Sequence, residues 1–315
     1  MKRILVIGSC GQIGSELVPA LQNVEGIEIV CATDKKNPQD GNGSNFACFD
    51  QLDVLDYDAL ENFVKDNNID TIYHLASLLS ATGEKYPQTA WNLNINGLMN
   101  VLEVARKNDI KRIVWPSSIA VFGPTTPREN TPNDTILQPS TMYGITKVTG
   151  ELMITYYAEK YGINIRSVRL PGIISCETLP GGGTTDYAVE IFYEAIKNQH
   201  YECFLEKTTI LPMLYMSDCV KALIQIIQAD PSRMHHRVYN LTGMSFSCAE
   251  LAHEIRKHIP DFTIDYKPDS RQQIADSWPM TIDDSLAREE WGWKPIYTIE
   301  TMALDMVQKL RKKLL

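Results

Sequence analysis

The 315-residue chain is 44% hydrophobic and 22% charged, the composition of an ordinary soluble globular protein with one large α/β domain or a main domain and a smaller lobe. Its formal net charge of −9 argues against nucleic acid or an anionic membrane as the main partner, and no run approaches the ~20 apolar residues of a membrane span. The seven cysteines, Cys10, Cys31, Cys48, Cys176, Cys203, Cys219 and Cys248, form no C-x-x-C pair and read as reduced thiols of a cytoplasmic protein. Adjacent His235 and His236 have a spacing that rarely serves one metal, so no metal is expected.

Met1-Lys2-Arg3 and the four apolar residues after it run directly into a glycine loop without a small-residue cleavage site. This stretch reads as a first strand over 4–7 and not as a signal peptide. Further strand-like runs lie at 28–33, 71–75, 112–116 and 165–170. Between them, apolar residues at i, i+3, i+4 predict helices over 12–23, 57–67, 88–108 and 141–161. This alternation is the pattern of an α/β fold with a Rossmann-type, doubly wound parallel sheet. After Arg169-Leu170-Pro171 it weakens, and a Gly181-Gly182-Gly183 loop precedes helices near 187–197, 217–228, 248–258 and 299–314. The expected division is a large domain over 1–172 with a returning segment near 213–243. A smaller C-terminal lobe over 173–212 and 244–315 would bind substrate.

The first strand ends in Gly8-Ser9-Cys10-Gly11-Gln12-Ile13-Gly14, inside which a helical pattern begins. A dinucleotide's pyrophosphate needs backbone N–H donors at close approach, which puts glycine where a Cβ would collide. The next helix's N-terminus adds partial positive charge. Gly8, Gly11, Gln12, Ile13 and Gly14 are therefore candidate cofactor residues, although the spacing also suits a plain strand-to-helix turn. Asp34 closes the second strand 20 residues after Gly14, where such folds place an acid on the adenosine ribose hydroxyls. A carboxylate there repels the 2′-phosphate of NADP, so NAD is expected. Lys35 and Lys36 are nearby cations that act the other way. Asp53 and Val54 follow a third short segment and border the adenine, with N-capping of the next helix as the other reading of Asp53.

Oxidising an alcohol needs a base for the hydroxyl proton, and a tyrosine can serve when a nearby cation favours its phenolate. Tyr and Lys four residues apart share a helical face. The spacing occurs three times, at Tyr143/Lys147, Tyr156/Lys160 and Tyr193/Lys197. Position separates them. Tyr143 enters a helix at the sheet's C-terminal edge, where the preceding strand ends in Ser117-Ser118. Tyr156 lies about three turns further along, and Tyr193 lies beyond the strand series.

Together with Tyr73-His74-Leu75-Ala76-Ser77, Asn94-Ile95-Asn96-Gly97, Ser117-Ser118-Ile119-Ala120-Val121-Phe122-Gly123, Tyr143-Gly144-Ile145-Thr146-Lys147 and Arg169-Leu170-Pro171, the chain resembles the extended short-chain dehydrogenase/reductase superfamily. The resemblance covers nearly the whole chain. It implies Ser118, Tyr143 and Lys147 as the catalytic group, with Ser118 orienting the substrate hydroxyl. It places Leu75, Ala76 and Ser77 along the cofactor and Pro171 to Ile173 near the nicotinamide. Lys147 would also bond the nicotinamide ribose, with Asn94 fixing the network. Phe122 departs from the tyrosine of many relatives, away from the base.

Within that superfamily, 77–84, 179–188, 211–216 and 276–279 resemble the short-chain L-threonine 3-dehydrogenases. This implies metal-free oxidation of L-threonine by NAD⁺ to 2-amino-3-oxobutanoate, on the way to glycine or aminoacetone. Ser80, Thr184 or Thr185, and Trp278 would contact the amino acid beside Ser118 and Tyr143. A homodimer through the helices at 88–108 and 141–161 is the family expectation. The rival reading is a nucleotide-sugar 4-epimerase or dehydratase, which needs cations for a diphosphate. Segment 179–188 holds no Lys or Arg, leaving Arg271 as the candidate. A non-catalytic NAD sensor is a further class, disfavoured by the intact Ser118/Tyr143/Lys147 set.

Overall fold

The computed structural model describes residues 1–38, 46–179 and 181–315, so Pro180 of the quoted loop lies outside the described residues. The strands are β1 (Arg3–Ile7), β2 (Ile29–Asp34), β3 (Phe49–Gln51), β4 (Thr71–His74), β5 (Arg112–Val114), β6 (Ser117–Ser118), β7 (Asn164–Leu170), β8 (Gly172–Ile174), β9 (His200–Cys203), β10 (Ile210–Tyr215), β11 (Val238–Asn240), β12 (Met244–Ser247) and β13 (Thr263–Tyr266). The helices are α1 (Gly14–Gln22), α2 (Tyr57–Asp66), α3 (Ser80–Lys85), α4 (Pro87–Trp91), α5 (Gly97–Lys107), α6 (Met142–Tyr161), α7 (Tyr187–Asn198), α8 (Met216–Gln228), α9 (Cys248–Arg256), α10 (Arg271–Asp276), α11 (Ser285–Trp291) and α12 (Ile299–Leu314). Among the described residues no helix is long and apolar enough to cross a membrane.

The large sheet has the order β3-β2-β1-β4-β5-β7-β11 with β6 beside β7, and every pairing is parallel. This is the doubly wound fold expected. Residues alternate between two buried faces: Ile4 and Val6 pack with α1 and α8, while Leu5 and Ile7 pack with α2, α5 and α6. A strand buried on both faces must be apolar throughout, which is why β1 reads as an unbroken hydrophobic run. Chain order reverses between β1 and β4. That reversal opens a crevice at the strands' C-terminal ends.

Smaller sheets, β12-β10-β8 and the parallel pair β13-β9, accompany a third core built from α7, α9 and α12. Within 213–243, β11 joins the large sheet beside β7 and α8 packs against α1. From the later segment, Ala287, Trp291 and Trp293 pack in the cluster of the large sheet and not with α12.

The helix expected over 88–108 is interrupted. A π-helical turn spans Asn92–Asn96 between α4 and α5, so the chain holds an extra residue where apolar periodicity shows no break. The α6 helix is delimited by Thr141, whose hydroxyl accepts the Gly144 amide at 3.1 Å, and by Gly162 at φ +71. This capped entry sets Tyr143 in the first turn.

Candidate active site

One cavity of about 570 Å³ runs from the glycine loop after β1 to Trp278. Gly8 has φ +86, and a Cβ there would come within 2.6 Å of the Ala76 backbone nitrogen. A Cβ on Gly14 would overlap the Gly8 carbonyl oxygen. The loop closes only because those side chains are missing, and it presents backbone to the cavity at Gly8, Gly11 and Gly14. Gln12 and Ile13 line the same end, where Gln12 Nε2 is buried without a hydrogen-bond partner. A backbone cradle at a helix N-terminus with an unspent donor fits a pyrophosphate.

Asp34 stands just behind this end. Its carboxylate accepts Cys10 N at 3.0 Å and Lys36 N at 2.9 Å, and both of those residues line the cavity. Lys35 is paired with Asp53 at 2.7 Å, which offsets its charge, whereas Lys36 stays on the cavity wall. The N-cap of α2 is Asp56, which accepts Ala59 N at 3.0 Å, so the capping reading of Asp53 is corrected. Asp53 instead accepts the Leu55 amide at 3.0 Å. Val54 is buried against Gly97 and does not reach the cavity wall.

Ser118, Tyr143 and Lys147 are all buried and line one stretch of the cavity. The hydroxyls of Ser118 and Ser77 lie near the Tyr143 phenol and favour its ionisation, yet burial outweighs them and pushes its pKa up to about 12. Lys147 Nζ donates to the Pro116 carbonyl at 2.7 Å and stands 4.4 Å over the Trp115 ring and 5.5 Å from the Tyr143 ring centre. Burial pulls Lys147 down to about 7 against the opposing charge of Glu151. A phenolate and an ammonium are each costly alone in this site and support one another as a pair. The other two Tyr/Lys pairs lie off the cavity: Tyr156 bonds Lys160 on an exposed face, and Tyr193 donates to the Cys176 carbonyl at 2.9 Å.

Asn94, in the π-turn, does not line the cavity. Its Oδ1 accepts Leu78 N at 2.8 Å and the Ser77 hydroxyl at 3.2 Å, while its Nδ2 donates to Thr146 Oγ1 at 3.0 Å. It thus holds Ser77, whose hydroxyl lies near the Tyr143 phenol. Leu75, Pro171 and Ile173 line the cavity, whereas Ala76 meets Gly8 through its backbone.

At the far end Ser80, Thr184, Thr185 and Trp278 share the wall, with Ser80 Oγ and Thr184 Oγ1 3.2 Å apart. The cations on the described wall are Lys36, beside Asp34, and Lys147, beside Tyr143. Arg271 is elsewhere: its guanidinium lies 3.1 Å from the Phe204 ring centre and pairs with Asp269 at 2.6 Å. Two wall residues carried no role in the sequence reading. His74 is fully buried, unpartnered at both nitrogens and held neutral by burial, with a pKa near about 3. Asp186 faces the substrate end. Both stand in quoted motifs, next to residues that were assigned.

Residues 4–242 match the NAD dependent epimerase/dehydratase family. The chain belongs to that family. NAD is accordingly the cofactor of this chain, which is an NAD-dependent oxidoreductase. An uncharacterized epimerase/dehydratase of Staphylococcus haemolyticus is 46% identical over 99% of both chains. Among solved structures, the L-threonine dehydrogenase of Phytophthora infestans is 50% identical, with a TM-score of 0.94 over 99% of this chain and 100% of that one. A monomeric L-threonine 3-dehydrogenase from a metagenome database is 46% identical, with a TM-score of 0.94 over 98% of this chain and 99% of that one.

Proposed function

We propose that this chain oxidises the 3-hydroxyl of L-threonine with NAD⁺, giving 2-amino-3-oxobutanoate. The carrying observation is the cavity itself. Ser118, Tyr143 and Lys147 form its middle, and hydroxyls of Ser80, Thr184 and Thr185 with the Trp278 ring form its far wall. A small zwitterion wants such donors and an aromatic wall that excludes water. The similarity to L-threonine dehydrogenases over the full chain supports the same substrate. A nucleotide sugar would bring a diphosphate to a far end with no arginine or lysine on its described wall.

In this reading the substrate hydroxyl sits between Ser118 and Tyr143. Tyr143 takes its proton, and Ser118 orients the oxygen. Ser77 stands near the phenol, with Asn94 behind it. Lys147 keeps two donor directions besides its bond to Pro116, and one of them would be available to the nicotinamide ribose. When bound, oxidised nicotinamide accepts the hydride from the carbinol carbon and adds the positive charge that favours the phenolate. Asp34 takes the adenosine ribose, with Asp53 and Lys35 at the adenine edge. NAD binding falls to 1–172 with 213–243, and substrate binding to a smaller lobe of 173–212 and 244–315.

The experiment is NADH formation with NAD⁺ and L-threonine, run beside L-serine, L-allo-threonine and NADP⁺. Growth with L-threonine and NAD⁺ alone is expected. No growth in protein shown to bind NAD⁺ overturns the substrate and returns the nucleotide-sugar reading.

A homodimer is part of the proposal. Trp91, Met99, Leu152 and Tyr156 leave apolar surface on the α4–α5 stretch and α6, with Leu152 68% exposed. Sedimentation at the 35.6 kDa monomer mass would overturn it, as one relative's description as monomeric makes pertinent. Seven unpaired cysteines support a reducing, cytoplasmic setting.

A further inference from the structure

Among the described residues, one carboxylate lines the cavity, that of Asp186. It opens α7, and its Oδ2 accepts the amides of Gly182 at 2.9 Å and Gly183 at 2.6 Å. Among the described residues no donor reaches Oδ1. No lysine or arginine pairs with Asp186, while Glu190 on the same helix repels it and Arg271 acts only from a distance. A mostly buried carboxylate with one oxygen held by two amides and the other without a protein donor has room to accept one more.

The proposed substrate supplies that donor. An amino acid enters as a zwitterion, and its ammonium must exchange water for an acceptor of opposite charge. The hydroxyls of Ser80 and Thr184 suit the carboxylate group, and the cations near Asp34 and Tyr143 belong to the cofactor side. What remains for the ammonium is Asp186. The two glycine amides hold it in place before substrate arrives, so little ordering is left for binding.

We propose that Asp186 is a specificity-determining residue that accepts the ammonium of the substrate and latches the 181–183 glycine loop in the same contact. This rests on the amino-acid reading of the cavity above. A 3-hydroxy acid lacking the amine would forgo the contact.

The test is steady-state kinetics of Asp186→Asn and Asp186→Glu with L-threonine and with (R)-3-hydroxybutanoate as substrate or competitive inhibitor, with thermal melting and NAD⁺ affinity as controls for folding. Asn keeps an oxygen for the glycine amides and removes the charge. The KM for L-threonine is expected to rise at least about tenfold with kcat within a few-fold, as loss of a charge-assisted contact requires. Affinity for the hydroxy acid is expected to stay the same or improve. Equal losses for both compounds would reduce Asp186 to a loop latch, and an unchanged KM would remove it from recognition. Either result overturns the proposal. If Asp186→Asn does not fold, Asp186→Glu decides: it keeps the charge but shifts it, so its KM rises for L-threonine and not for the hydroxy acid. Wild-type protein inactive on L-threonine would sink the substrate reading itself, a distinct outcome.

Discussion

Lys147 Nζ donates a 2.7 Å hydrogen bond to the carbonyl oxygen of Pro116. The bond ties α6 to the segment between β5 and β6 and fixes where the ammonium stands without neutralising it. Lys147→Met is therefore expected to lower kcat by about 10²–10³-fold and to weaken NAD⁺ binding. Lys147→Arg restores the charge but not the fit under Trp115, and should rescue little. Single-turnover NADH absorbance checks both.

Tyr143→Phe should lower kcat at least about 10²-fold with NAD⁺ affinity near wild type, as fluorescence titration would report. Because burial raises the phenol's pKa, the base form is favoured as pH rises. The wild-type kcat/KM should climb through the alkaline range toward the phenol's own pKa of about 12. A flat profile there would argue against Tyr143 as the base.

Gly14→Ala puts a methyl into the Gly8 carbonyl oxygen, backbone that cannot step aside without moving the loop. Loss of NAD⁺ affinity by about tenfold or more is expected, with destabilisation of about 1–3 kcal/mol. Calorimetric titration and urea unfolding separate the two effects.

Burial raises the Asp186 carboxyl to about 6, with Glu190 adding to the rise and the amides of Gly182 and Gly183 and the distant Arg271 opposing it. Above that value the group is charged and ready for an ammonium; below it the charge is gone. The KM for L-threonine should rise as pH falls through about 6 in the wild type. In Asp186→Asn it should stay flat over that window.

Glu290 behaves in the opposite sense. Burial alone would raise its pKa, but hydrogen bonds from Tyr239, the His236 ring and the amides of His235 and His236 hold it down to about 2. A carboxyl depressed on folding stabilises above its unfolded pKa and loses that contribution as pH falls through the folded one. The contribution is about 2–3 kcal/mol, present at neutral pH and lost between about pH 4.5 and pH 2. Urea unfolding of Glu290→Gln should show the gap from wild type close across that window.

The strands near the cofactor were legible because β1 and β2 are buried on both faces and had to be apolar without interruption. The short strands β8, β9, β12 and β13 were not. Three or four residues of mixed burial carry no period long enough to read. Tyr143 and Lys147 stood out through their place at a helix entry, which sequence shows. Ser77 was set along the cofactor, yet its hydroxyl lies near the phenol of a residue 66 positions away. Asp186 was hidden for the same reason: its setting depends on glycine amides folding back over it, and spacing alone says nothing of that.

Asn94 reaches Ser77, Leu78 and Thr146 together because it stands in the π-turn. Each residue of an α-helix advances the facing direction by about 100°, so an overfull turn is also a rotation. Removing a neighbour of Asn94 within 92–96 would let the helix run straight and turn Asn94 away from Ser77, Leu78 and Thr146. The support beneath the tyrosine is thus encoded by chain length as well as by identity. Substitutions at Asn94 would trim it, whereas deleting a neighbour in the turn would undo its geometry while leaving Asn94 in the gene.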